Sequence, residues 1–358
     1  MRRPLLALLV LPVLAVAYLA AWPVPVDPVA WEAPPDFGHV GAFAPDSSLA
    51  AFDAIPLGGH EGPEGVARDA AGRIYVTTRD GAILRLDPSG AAPVEWANTR
   101  GRPLGLVFDA AGTLFVADGV RGLLAVDTAG TVRLLADSAD GTPIAFADDL
   151  DVASNGRVYL SDASTKFGVR ATGDANASTL DVIEHGGHGR LIEWDPTTGR
   201  ATVVRAGLEF ANGVAMAPDQ RSVLLCETGA YRIVRIDVEG AGRGTLTPVL
   251  EALPGFPDNI SRADSGRYWV ALFAPRNALL DRFSGSPFMR RMIVRIPSAL
   301  APRPAAYGHI IAIDAEGRVL DDRQDPSGGY PKMTDVLETA DHLYIGSLAG
   351  GVLARVKR

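Results

Sequence analysis

Apolar residues in this chain gather into short β-type runs that break at Gly- and Asp-rich turns and resume, and the pattern returns six times. The units read GVARDAAGRIYVTT (65–78), GLVFDAAGTLFVAD (105–118), LDVASNGRVYLSD (150–162), GVAMAPDQRSVLLCET (213–228), ISRADSGRYWVAL (260–272) and VLETADHLYIGS (336–347). Most are followed by a third strand pattern, such as AILRLD (82–87) or RIVRID (232–237). Successive turns lie about 40 to 45 residues apart where nothing intervenes, the period of four-stranded blades rather than of helical or leucine-rich repeats. The pattern predicts an all-β chain folded as a six-bladed β-propeller.

Two intervals are longer, with 164–188 intervening between units three and four and extra residues around 275–305 between units five and six. Insertions in a repeat array become loops on one face, often the binding face. A ring must also close, and the segment near Leu49–Ile55 is positioned to supply the outer strand of the last blade. The repeat runs from about residue 49 to 358 without a linker-like break, which predicts one domain despite the length of 358 residues.

Upstream, Arg2 and Arg3 precede an uncharged stretch whose apolar core, Leu5–Trp22, is long enough to cross a bilayer. Residues 1–26 read as a membrane anchor or a cleaved signal segment, with Ala15-Val16-Ala17 or Ala20-Ala21 as small-residue sites for cleavage. Arginines before the span, with Asp27, Glu32 and Asp36 after it, place the propeller on the outer, non-cytoplasmic side. The alternative is a secreted or periplasmic protein. Residues 27–48, rich in proline, read as a stalk. A net charge of −8 with mixed signs leaves no basic stripe, which argues against nucleic acid as a partner. Cys226 is the only cysteine, so no disulfide can form within the chain, and its place in VLLCET is that of a buried core thiol.

The innermost strands of a propeller all start at one face beside the central channel, so polar residues preceding them converge from distant parts of the sequence. Those positions hold Glu64 (GPEGV), Asp148 (FADDLDV), Asn212 (FANGVAM) and the pair Asp258-Asn259 (FPDNIS). Carboxylate and amide oxygens without His or Cys are a hard-cation set, and the flexible shell of Ca2+ suits it better than that of magnesium. Each of these residues is also a common turn or strand-start residue. A cation there would polarise a carbonyl or phosphoryl oxygen, with a nearby carboxylate as base, which points to hydrolysis of an ester or lactone.

The stretches GRPLGL (101–106), YLSDASTKFG (159–168), GRLIEWDPTTG (189–199), FANGVAMAPD (210–219), GFPDNI (255–260), RRMIVRI (290–296) and HLYIGSL (342–348) resemble, in order, the strictosidine synthase-like branch of six-bladed propellers. Related propellers, the senescence-marker gluconolactonases, paraoxonases and fluorophosphatases, hold a catalytic calcium on a Glu, two Asn and an Asp. The resemblance implies that Glu64, Asp148, Asn212 and Asp258 take those places and that Asn259 matches a further paraoxonase ligand. Asp148 stands where Asn is usual, adding a negative charge.

Second strands return to the same face, so Asp118, Asp162 and Glu227 are candidate bases, or else acids that tie down the following turn. Arg102, ahead of the second inner strand, either orients an anionic substrate or pairs with a rim carboxylate. His185 and His188 in HGGH lack a third metal ligand nearby and read as an exposed loop. The plant synthases place a glutamate before the last blade's LYIG strand, and Thr334 occupies that position here. Asp335 and Glu338 are close, but one residue of shift in a strand turns a side chain to the other face. Condensation of the synthase type is therefore disfavoured. The histidine that paraoxonases carry after an early second strand is missing from FVADGVRG (115–122). No G-x-S-x-G elbow and no P-loop is present. Two functions follow: a calcium-dependent hydrolase acting on a small ester or lactone, arylesterase- or lactonase-like, or a non-enzymatic propeller stabilised by calcium that binds a partner or ligand.

Overall fold

Aspartates at the hairpin turns set the first level of structure. Asp69 Oδ1 accepts the N–H groups of Ala71 and Arg73, and Asp109, Asp127 and Asp314 repeat the device two and four residues on. A glycine such as Gly72 or Gly112 follows at φ of +79° or +85°, a conformation in which other residues are strained. The computed structural model describes residues 12, 14, 16–86, 93–297, 300–301 and 304–358.

The hairpins assemble into six four-stranded antiparallel sheets, one per predicted blade. Their inner strands are Val66–Arg68, Pro103–Phe108, Ala147–Val152, Ala211–Met216, Gly255–Arg262 and Met333–Glu338. Second strands such as Leu114–Asp118 and Ser222–Glu227 are buried throughout, since blades pack against both of their faces, whereas the outer strand Val132–Ala136 has no buried residue. Apolar contacts run between successive blades: Leu224 and Ile233 of the fourth meet Tyr268, Val270 and Ile311 of the fifth. The ring closes as the repeat requires. Strand Asp53–Pro56 pairs antiparallel with Val352–Lys357, Asp53 opposite Arg355, so the N-terminal side of the chain completes the last blade. Leu353 then joins Val66, Val76 and Leu84 across the seam.

Both insertions fold as helices. Segment 164–188 carries α1 (Val169–Thr172) and α2 (Asp174–Glu184), and the second insertion carries α3 (Ala278–Arg282) and α4 (Pro287–Val294). Ser286 caps α4 and Pro287 opens it, while Asn277 caps α3. The segment expected to be a stalk lies against these helices instead of standing off from the propeller. Val29 N–H donates to Glu184 O and Trp31 N–H to Ser284 O, and the Arg276 guanidinium reaches Pro34 O and Pro35 O. Leu49 is buried among Trp269, Ile345 and Ala354. Half of the anchor expected over Leu5–Trp22 lies outside the described residues; its described end is helical over 16–21, and Arg295 donates to Leu19 O and Trp22 O. Among the described residues no helix is long and apolar enough to cross a membrane. Asp87 of the AILRLD strand is likewise outside them.

Leu49, 1 % exposed at the edge of the propeller, tests whether this segment is part of the folded unit. Leu49→Ala should lower the unfolding free energy by about 2–5 kcal/mol, the range for a buried Leu truncated to Ala, in a urea titration.

Candidate functional site

Five of the inner strands break register after their start. Pro103 faces Asp118 and the next pair is Leu106 with Val116; Ala147, Ala211, Pro257 and Met333 show the same offset of three residues against two. Each break is a β-bulge, which frees two consecutive residues from the ladder and re-aims their side chains. The freed pairs are Leu104-Gly105, Asp148-Asp149, Asn212-Gly213, Asp258-Asn259 and Thr334-Asp335. Glu64-Gly65 stands at the matching place ahead of the first inner strand. Where the second of a pair is glycine, neighbouring backbone is closing in: a Cβ at Gly213 would sit 2.4 Å from Ile260 N and 2.6 Å from Asp258 O.

The first members form one ring of Glu64, Leu104, Asp148, Asn212, Asp258 and Thr334, all buried. Four of the five expected cation ligands therefore occupy equivalent places, and Asn259 is the second member of its pair. Burial, with the charges of Glu64, Asp258 and Asp149 behind it, pushes the Asp148 carboxyl well above its ordinary range. Burial and the Glu64 charge do the same to Asp258, against a hydrogen bond from the Asn212 side chain. Glu64 is pushed up to about 7 by burial, opposed by Arg102. Thr334 Oγ donates to Glu64 O at 2.9 Å.

Arg102 pairs with carboxylates, the second of its two readings. It is 5 % exposed, its Nη2 contacts Glu64 Oε2, its Nε donates to Asp174 Oδ2 at 2.7 Å and its Nη1 to Pro103 O at 3.0 Å. With Glu64 drawn to this guanidinium, no three His, Cys, Asp or Glu side chains among the described residues stand together as a ready metal cage. The donor chemistry nevertheless fits a hard cation. Asn212 Oδ1 and Asn259 Oδ1 are buried with no hydrogen-bond partner, a cost that a cation would remove, whereas the equally unpartnered Asn259 Nδ2 is a donor that no cation satisfies. Three buried carboxylates, Glu64, Asp148 and Asp258, meet the charge of Arg102, in contact with Glu64, and the more distant charge of Arg79 on Glu64, which leaves them short of matching positive charge among the described residues.

The three candidate bases are turn clamps. Asp162 accepts Ala145 and Phe146 N–H on Oδ1 and Arg190 Nε on Oδ2, and Glu227 accepts Glu209 N–H and Arg232 Nε, so both have their oxygens spent. Asp118 Oδ1 takes the N–H groups of Arg102, Val120 and Arg121, while its Oδ2 is buried without a partner. The HGGH pair is not an exposed loop: His185 is 7 % exposed and stacks on Trp31 with ring centroids 3.8 Å apart, and His188 Nε2 contacts Glu184 Oε1 at 2.7 Å.

Two acids escaped the reading by strand alternation. Asp149 Oδ2 accepts Val214 N–H and Asp335 Oδ2 accepts Val66 N–H, each clasping the next blade near the axis. A bulge defeats alternation, and the doubled acid of FADDLDV was the visible signal. Above the ring, Leu104 packs with Phe146, Phe167, Val169, Ala177, Phe210 and Val26, so α1, α2 and the N-terminal segment roof the channel mouth.

A strictosidine synthase family profile matches residues 148–240, and a profile for the N-terminal part of strictosidine synthase-like proteins matches 41–86. The adipocyte plasma membrane-associated protein of Salmo salar is 32 % identical over 97 % of this chain and 87 % of its own length. Strictosidine synthase-like protein 10 of Arabidopsis thaliana is 34 % identical over 86 % of this chain and 90 % of its own. Among solved structures, a gluconolactonase from Xanthomonas campestris superposes with a TM-score of 0.63 at 17 % identity, covering 93 % of this chain and 98 % of its own, which shows the shared fold.

Asp162→Ala leaves Arg190 buried and unpaired and should cost about 3–5 kcal/mol in a urea titration; a loss of turnover at unchanged stability would instead mark Asp162 as a base. The pH dependence has a definite sign. Burial pushes Asp181 and Glu209 up to about 7 and Asp335 up to about 6, so stability from these groups is lost as pH rises from the ordinary carboxyl range through those values. His185, lowered to about 3 by burial, opposes them only below its ordinary pKa of 6.5. In metal-free buffer the thermal midpoint should therefore fall between about pH 6.5 and about pH 8, read by differential scanning fluorimetry.

Proposed function

The chain belongs to the strictosidine synthase-like family of six-bladed β-propellers, and from that membership we propose that it is a calcium-dependent hydrolase of esters or lactones, carried at a membrane by its N-terminal segment with the propeller on the non-cytoplasmic side. The carrying observation is the ring itself: Glu64, Asp148, Asn212 and Asp258, none of which blade packing requires, held on one axis at an electrostatic cost, with Asn212 Oδ1 unpartnered. Glu64, Asp148, Asn212 and Asp258 would hold the ion, with Asn259 beside them. Calcium bound there supplies a Lewis acid for a substrate carbonyl. This chain's own residues do the remainder. Asp118, whose Oδ2 is the open acceptor among the clamps, would take the proton, and the apolar cover of Phe146, Phe167 and Phe210 packed on Leu104 of the ring would exclude water and suit a lipophilic acyl or aryl group.

A second reading has its own support. Every ring residue is buried beneath the roof, as suits a cation that braces the fold of a propeller whose rim binds a partner. Thr334 in place of the synthase glutamate keeps amine–aldehyde condensation disfavoured, and Glu338 points to Trp269 Nε1 at 2.6 Å.

The full chain in detergent, assayed against aryl esters and lactones, should show turnover that a chelator abolishes and calcium restores, and Asn212→Ala should lose about 100-fold or more in kcat/KM. Absence of turnover, with calcium still raising the thermal midpoint, would establish the bracing role instead.

A further inference from the structure

The ring carries a counter-cation of its own. Arg102 is 5 % exposed, and its charge acts on two of the five expected cation ligands: it contacts Glu64 and lowers the pKa of Asp148. Its other face grips Asp174, the first residue of α2, through Nε at 2.7 Å. One guanidinium therefore joins a ligand of the ring to the helix that roofs it. A dication gathering Glu64 into its shell needs the same carboxylate that Arg102 holds, and it would meet an arginine at close quarters in a poorly screened site.

Resting on the cation-site reading above, we infer that Arg102 is a built-in competitor for the metal: with the roof closed it holds Glu64 and Asp174 together, and binding of a divalent cation releases it and loosens α2. Two states follow, one with Arg102 between Glu64 and Asp174 and α2 seated, the other with Glu64 on the ion and Arg102 turned away. The ion shifts the balance because it binds only the second. Neighbouring contacts permit the exchange. Arg102 keeps its backbone tie to Asp118 Oδ1 in either state, and Asp174 sits 25 % exposed at the helix end, where water can replace the guanidinium. The underside of the roof against the ring is apolar, through Leu104, Val169 and Ala177, so seating α2 requires no metal.

Calcium titrated calorimetrically into the full chain in detergent, together with the rate of tryptic cleavage at the exposed Arg170, tests this. Arg102→Gln should bind calcium at least about tenfold more tightly than the wild type, with Arg102→Lys, which keeps a charge, nearer to the wild type. Asp174→Asn lies outside the ring and should also tighten binding by weakening the closed state. Calcium should speed cleavage at Arg170 in the wild type and leave it nearly unchanged in Arg102→Gln, where cleavage is already fast. Equal calcium affinity in all four proteins, or cleavage in the wild type indifferent to calcium, overturns the competition and leaves the cation reading standing. Absence of calcium binding in every protein overturns both. Binding that appears only in the Arg102→Gln and Asp174→Asn variants supports the competition in its strongest form.

Discussion

Mutual repulsion among carboxylates held on a dry axis is the constraint around which this propeller is organised. Glu64, Asp148 and Asp258 are buried at equivalent places in three blades, with Asp149 and Asp335 buried in neighbouring positions, and burial first, then one another's charge at Asp148, Asp149 and Asp258, raises their carboxyls. Such an arrangement persists only where the surroundings fix it. The bulges aim the side chains inward, glycines at 65, 105 and 213 let the blades close around them, and inter-blade bonds such as Val66 N–H to Asp335 and Val214 N–H to Asp149 spend part of the negative charge on backbone donors. What those donors leave uncompensated is the charge that Arg102 or a bound cation must meet.

Asp162 and Glu227 show how an acid can look functional in sequence and spend its oxygens on structure in space. Asp118, Asp162 and Glu227 end second strands at the mouth, where a base would stand. Each instead accepts the backbone N–H of a residue leading into its own blade's inner strand: Arg102, Phe146 and Glu209. That bond fixes where the inner strand begins, and hence where the bulge falls and where the ring residue points. The clamps thus serve the site through geometry, with Asp118 Oδ2 the one clamp oxygen free of that duty.

Blade number, closure and the ring residues were legible because they rest on local rules: the Asp-to-Gly turn, the repeat period, and the type of residue ahead of each inner strand. The bulges were not, since nothing in T-D or D-D states that both neighbours leave the ladder, and alternation therefore misplaced Asp335. Nor was the role of residues 27–48. Proline content predicts stiffness, but it is blind to Trp31 and to Val26 just ahead of the stretch, whose partners His185, Phe167 and Phe210 lie well over a hundred residues away. Likewise HGGH gave no sign that a segment arriving from the N-terminus would cover it.

The covering of the mouth links the N-terminal segment to the chemistry beneath it. Residues 22–35 are held on the insertion helices by Asp27 N–H to Glu184 Oε2, by Val29 and Trp31 backbone bonds, and by Arg290 and Arg295, which spend buried guanidinium donors on Val29 O, Leu19 O and Trp22 O. Arginine donors buried on carbonyls are costly to expose singly, so the strap and helices move together or hardly at all. By contrast, α2 meets the ring through apolar contacts and the Asp174 to Arg102 pair, which needs no strong cohesion to separate. The weaker seam of the cap is thus the one facing the carboxylates. A propeller whose axis were merely braced would gain by sealing that seam with hydrogen bonds. Placing a single exchangeable ion pair there instead lets the occupancy of the axis be felt by the roof.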